Sequence, residues 1–131
     1  MKSYLENVLY HEGELWVQPE SDYFLVGVTD FGQEFFRDIQ KIELPKVDNF
    51  YKKEEILAVI ETDKVSTEIH FPVSGKVIEL NMKVETQPNL INQFPFTKGW
   101  ILKMQDVSLE ELEQLESVEE YQKFLATFFK K

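Results

Sequence analysis

Two apolar runs of strand length, separated by a short polar insert, constrain this chain more than any other feature. Ile56-Leu57-Ala58-Val59-Ile60 leads into Glu61-Thr62-Asp63-Lys64-Val65-Ser66-Thr67-Glu68, and Ile69-His70-Phe71-Pro72-Val73 follows. Runs of that length suit buried strands, and a polar segment between two of them predicts a β-hairpin spanning about residues 56–73. Its tip falls near Asp63 and Lys64, where an aspartate side chain can stabilise the turn. Lys64 then projects into solvent.

Similar signals recur along the chain. Tyr23 to Val28 is rich in aromatic and β-branched residues and reads as a strand. A short helix follows, with Asp30 as the expected cap, Gln33 completing a capping box, and Phe31, Phe35 and Phe36 as its apolar face. It should end near Arg37-Asp38. Ile39 to Leu44 reads as a strand stopped by Pro45. After a turn at Ser74-Gly75, Lys76 to Leu80 gives another strand, closed by Asn81. Gly99 to Met104 repeats the pattern beyond a loop carrying Pro88 and Pro95. Strands at this density predict a small antiparallel sandwich or barrel. The tail differs: Ser108 with Glu111 and Ser117 with Glu120 form two capping-box patterns, so helices are expected over about residues 108–130. The first should bury Leu109, Leu112 and Leu115, and the second should pack Tyr121, Phe124, Leu125 and Phe128. Strands first and helices last make an α+β chain that is mainly β.

At 131 residues the chain is expected to form a single domain, residues 1–131, and its 43% apolar content suffices for one core. The formal charge of −10, from 14 basic and 24 acidic residues, excludes phosphate backbones as natural partners, so no nucleic acid is expected. An acidic surface can steer a protein toward basic clefts, although most acidic excess serves solubility. The opening MKSYLENVLY interrupts its apolar residues with Lys2, Glu6 and Asn7, unlike a signal peptide, and no run is long enough to span a bilayer. No membrane association and a cytoplasmic location are therefore the expectation. With no cysteine, any thiol chemistry must come from an added group.

Individual residues have bland explanations that must be weighed. An exposed turn lysine without context is a solvated charge. Glu61 and Asp63 have the residue types of a general acid and base, but a carboxylate pair beside a turn is more often solvated. His11 and His70 have no metal-ligand spacing, so no metal is assigned and no catalytic residue is named.

The short pieces gain meaning from their order. Gly27-Val28-Thr29-Asp30-Phe31-Gly32-Gln33, Glu43-Leu44-Pro45, Glu61-Thr62-Asp63-Lys64-Val65-Ser66-Thr67, Pro72-Val73-Ser74-Gly75, Asn81 and Gly99-Trp100 follow the order and spacing of glycine cleavage H proteins, which this chain resembles over about residues 8 to 126. The resemblance implies a flattened lipoyl/biotinyl-type barrel-sandwich hybrid with a short helix in its N-terminal half and helices at its C-terminus. It implies a non-catalytic carrier, with lipoate joined covalently to Lys64 as N6-lipoyllysine. A lysine suits that role because its amine forms an amide and its four-carbon stem lengthens a flexible arm. Glu61, Asp63, Ser66 and Glu68 are the neighbours expected to be recognised by a ligase or partner. Implied partners are a lipoate ligase or lipoyl transferase, a pyridoxal-phosphate glycine decarboxylase that loads an aminomethyl group, a tetrahydrofolate-dependent aminomethyltransferase that unloads it, and a flavin dihydrolipoyl dehydrogenase that reoxidises the arm. A monomer is expected, since a carrier visiting several partners needs only transient contacts.

The sequence departs from the family pattern in particular places. Residues 47–55 lack the usual glycines, so Asp48 or Asn49 must supply any turn requiring positive φ. Arg37 stands where the family usually has glycine, and residues 92–98 lack acidic residues often seen there. Asp63 precedes the lysine, as in lipoyl domains of 2-oxoacid dehydrogenases. Two alternatives thus stay open: an H-like lipoyl carrier serving lipoate relay or a redox-linked protein-modification system, and an unmodified interaction domain. A biotin carrier fits less well, because biotinyl hairpins place methionine on both sides of the lysine.

Overall fold

The computed structural model describes residues 8–128. Its larger antiparallel sheet sets β1 (Leu9–His11), β2 (Leu15–Pro19), β3 (Phe24–Val28), β9 (Leu102–Gln105), β8 (Gly75–Leu80) and β5 (Phe50–Tyr51) side by side in that order. The smaller sheet joins β4 (Lys41–Glu43), β6 (Ile56–Glu61) and β7 (Ser66–His70). Both sheets bury residues in a shared core that includes Val17, Val26, Ile42, Leu57, Ile60, Ile69, Phe71, Val77 and Leu102. Each aliphatic side chain fully removed from water contributes about 1.5–3 kcal/mol before entropy is counted. The sheets do not close into a barrel, and the architecture is the lipoyl-type barrel-sandwich expected from the resemblance.

The helices are α1 (Asp30–Phe36), α2 (Met82–Thr86), α3 (Leu90–Gln93), α4 (Leu109–Leu112) and α5 (Val118–Phe128). The cap of α1 corrects the sequence expectation by one residue. Thr29, not Asp30, is the N-cap: its hydroxyl accepts from the Gly32 amide at 2.9 Å and donates to the Gly13 carbonyl at 2.7 Å. A buried hydroxyl with two partners is a better cap than an aspartate whose carboxylate is wanted elsewhere. Asp30 Oδ1 instead accepts from the Phe31 amide and the Tyr121 hydroxyl, each at 2.9 Å. Phe31 and Phe36 are buried as expected, whereas Phe35 is 59% exposed.

The C-terminal capping boxes behave differently from each other. Ser117 and Glu120 exchange both bonds, Glu120 accepting from the Ser117 amide at 2.8 Å and Ser117 from the Glu120 amide at 3.2 Å. At α4 only the serine half forms, because the Glu111 carboxylate reaches across to the Ser74 amide at 2.7 Å. Leu109, expected inside, is 69% exposed, while Leu115, just past the helix, is buried. On α5, Tyr121 is buried, Phe124 and Leu125 are half-buried, and Phe128 stays exposed yet meets Phe31 edge-on at 4.9 Å.

Five elements, β1, β2, β5, α2 and α3, carried no strong sequence signal. The β1–β2 hairpin is built on three-residue and five-residue strands around a turn whose Glu12 and Gly13 both have positive φ, 53° and 76°. The loop before Gly99 holds α2 and α3, too short to show helical periodicity. Asn81, expected only to close β8, also caps α2 and donates through Nδ2 to the Lys98 and Trp100 carbonyls at 2.9 and 2.7 Å. The strand expected from Gly99 begins only at Leu102, because Gly99 is packed against α3, where a Cβ would lie 2.6 Å from the Leu90 carbonyl oxygen.

Candidate functional site

The β6–β7 hairpin positions Lys64. The strands pair in the register Ala58↔Ile69, Val59↔Glu68, Ile60↔Thr67 and Glu61↔Ser66, so the strand begins at Ser66 rather than at Ile69 as the apolar pattern suggested. A bulge between Ile56 and Ala58 lets Leu57 and Ala58 both face inward and leaves Ile56 exposed. Beyond Glu61↔Ser66 the Thr62 amide donates to the Val65 carbonyl at 2.9 Å, which leaves Asp63 and Lys64 as the two residues at the tip.

Neither tip residue has positive φ, so this is not one of the mirror-image turns usual for two-residue hairpins. Thr62 supplies the missing closure. Its Oγ1 accepts from the Lys64 amide at 3.3 Å and the Val65 amide at 3.2 Å. The turn therefore rests on a threonine hydroxyl and not on the Asp63 side chain that the sequence favoured. Thr62 is the site residue that sequence reasoning missed, although a hydroxyl immediately before the tip, two positions before Lys64, is a recognisable signal.

Lys64 is exposed, as are Asp63, Ser66 and Glu68, while Glu61 is half-buried. Glu61 lies opposite Ser66 on one side and Lys41 on the other, and its carbonyl accepts from the Gln40 amide at 2.8 Å. Glu68 and His70 share a face of β7, with Glu68 Oε1 3.6 Å from His70 Nε2. Glu61 and Asp63 form no enclosed acid–base pair. Two clefts on the described surface, one of about 720 Å³ lined in part by Asn81, Met82 and Trp100 and one of about 310 Å³ between Phe35 and Phe128, contain no hairpin residue.

His11 lies apart from Lys64, beside Glu12 and Glu54. Burial lowers its pKa, opposed by those two carboxylates. Burial likewise raises the pKa of Glu14, with the nearby Glu12 adding to the effect. Asp48, at φ 72°, takes one left-handed turn expected of residues 47–55, and Glu54, which the sequence did not single out, takes a second at φ 76°. Arg37 adopts φ 60°, a conformation that favours glycine. Its carbonyl accepts from Asn92 Nδ2, which joins the C-terminal end of α1 to α3.

A lysine held exposed at the tip of a two-residue hairpin on a barrel-sandwich defines the class by its geometry: a domain that offers one side chain outward from its smaller sheet. Family comparison is specific. The model of the glycine cleavage H-protein family matches residues 8–128. Similar relatives include the glycine cleavage system H protein of Halothermothrix orenii, 38% identical over 92% of this chain and 94% of that one, and its counterpart from Thermus thermophilus, 37% identical over 88% and 91%. The fold also matches the crystal structure of a glycine cleavage system H protein from Mycobacterium marinum, with TM-score 0.78 over 90% of this chain and 95% of that one at 23% identity. This chain belongs to the glycine cleavage H-protein family, whose members are non-catalytic carriers with lipoate attached covalently to a lysine.

Proposed function

We propose that Lys64 is the lipoylated lysine and that the chain acts as one carrier domain shuttling aminomethyl groups and reducing equivalents between glycine cleavage enzymes. The observation that carries this is the tip geometry: Lys64 stands exposed on a turn whose backbone is fixed by Thr62. The residues fit the group, since a rigid backbone offers one particular amine to a ligase while the side chain stays free to swing. When bound, lipoate supplies a dithiolane that opens to a dithiol and recloses, chemistry unavailable to a chain without cysteine.

Each neighbour has a stated part. Asp63, Ser66 and Glu68 offer exposed polar groups around the lysine for a lipoate ligase or lipoyl transferase to recognise, and half-buried Glu61 anchors the tip to β4. The carrier serves glycine decarboxylase, aminomethyltransferase and dihydrolipoyl dehydrogenase in turn, as a monomer in the cytoplasm. Among the described residues no helix is long and apolar enough to cross a membrane.

A different lipoyl-dependent system is the second candidate, favoured by the sequence departures at Arg37 and residues 92–98. The test begins with intact mass and a tryptic map after incubation with lipoate ligase, ATP and lipoate, using wild type and Lys64→Arg. One lipoyl increment on Lys64, absent from the variant, is expected; a folded protein that stays unmodified, or is modified at another lysine, overturns the assignment. Adding glycine decarboxylase and glycine to the lipoylated protein then separates the two systems, because only a glycine-cleavage carrier gains the aminomethyl mass.

A further inference from the structure

At the base of the β6–β7 hairpin, opposite the lysine tip, three side chains from two separate segments converge. His11 ends β1, Glu12 follows it in the turn, and Glu54 lies in the connection from β5 to β6. Glu54 is tied to the hairpin base, its amide donating to the Phe71 carbonyl at 2.9 Å. His11 Nε2 lies 3.8 Å from Glu54 Oε2 and 3.9 Å from Glu12 Oε1, and the three ligand atoms all fall within 4.8 Å of one another. Atoms bonded to one ion at about 2.0–2.2 Å stand roughly 3–4 Å apart, so small side-chain rotations bring this set onto a metal.

The donor set indicates which metal. Imidazole favours borderline divalent ions and carboxylates accept them, so one nitrogen and two oxygens suit Zn²⁺ and leave a fourth position for water. The imidazole is mostly buried, with a side chain 13% exposed, and therefore already held in place. The Lys53 ammonium, the cation next to Glu54 in the chain, is turned to Gln114 Oε1 at 3.3 Å. We propose that His11, Glu12 and Glu54 form a binding site for a borderline divalent cation such as Zn²⁺, which clamps edge strand β1 to the base of the lysine hairpin. The site stands whether or not Lys64 is lipoylated.

The protein contains its own control. His70 pairs with Glu68 at 3.6 Å, but among the described residues that pair has no third ligand atom to complete a cluster. The full chain is titrated with Zn²⁺ by calorimetry in excess Mg²⁺, comparing wild type, His11→Ala, Glu54→Gln and His70→Ala. One equivalent is expected in wild type and His70→Ala, with affinity falling by roughly tenfold or more in the other two. The thermal midpoint should climb with Zn²⁺ in wild type and not in Glu54→Gln. If His11→Ala does not fold, Glu54→Gln still decides, because the Glu54 side chain is 60% exposed. Equal Zn²⁺ affinity in wild type and Glu54→Gln, or no saturable binding, overturns the proposal.

Discussion

At the hairpin tip, Thr62 to Val65 hold one another through main-chain and hydroxyl bonds and bury little, whereas beneath α5 the rings of Tyr10, Trp16, Phe31, Phe96 and Tyr121 come from separate elements and are buried. In that seam Tyr10 and Tyr121 stack at 4.1 Å, and Trp16 Nε1 donates to the carbonyls of Val28 and Pro95, each at 3.0 Å. Gly27 makes room for the indole, since a Cβ there would lie 2.5 Å from Trp16 Cζ2. The seam pins α5 and the chain around Phe96 to the large sheet; the tip depends on its own few residues. A carrier gains from this division, because the part that meets partners can change without loosening the part that folds.

Three substitutions probe the contrast. Trp16→Ala should have the largest effect, losing about 3–5 kcal/mol as the seam is emptied and two carbonyls lose their donor. Urea unfolding measures it, and a cost below about 1 kcal/mol would show that the seam is not what holds α5. Thr62→Val comes next. It keeps the shape but removes the hydroxyl, so about 0.5–1.5 kcal/mol of stability should go, lipoylation by the ligase should slow, and Thr62→Ser should restore both. Unchanged lipoylation kinetics would mean the turn holds without that hydroxyl.

Glu116→Gln should be the smallest and opposite in sign. Burial, then the nearby Glu120 and Glu12, raise the Glu116 pKa. The folded state thus prefers the protonated acid, and that preference contributes stability below the unfolded pKa which is lost as pH rises through the folded one. The amide should therefore raise the thermal midpoint near pH 7, with the gain shrinking as the wild-type carboxyl protonates at lower pH. A gain independent of pH would assign the effect to something other than this charge.

Much of the fold was legible where a signal is local. The β6–β7 hairpin, the helix after Val28 and the reciprocal cap at Ser117 and Glu120 all follow from residues within a few positions of one another, whereas the turn expected at Ser74-Gly75 falls instead at Pro72-Val73, with Gly75 already in β8. The failures have a common cause. Asp30 and Glu111 both carry sound capping chemistry, but Tyr121 and Ser74, distant in sequence, claim their carboxylates. Leu109 fits an apolar helical face and remains exposed, because α4 stops after Leu112 and the chain turns before Leu115 reaches the core.

The sequence by itself determined the lysine hairpin, the mainly β class and the family, because strand patterning, turn chemistry and an ordered motif are written in neighbouring residues. Only the tertiary structure decided which hydroxyl closes the tip, where Asp30 spends its carboxylate, and that His11 and Glu54 face each other. Those outcomes depend on groups far apart in the chain competing for the same few donors and acceptors. Such competition is settled only when the chain packs.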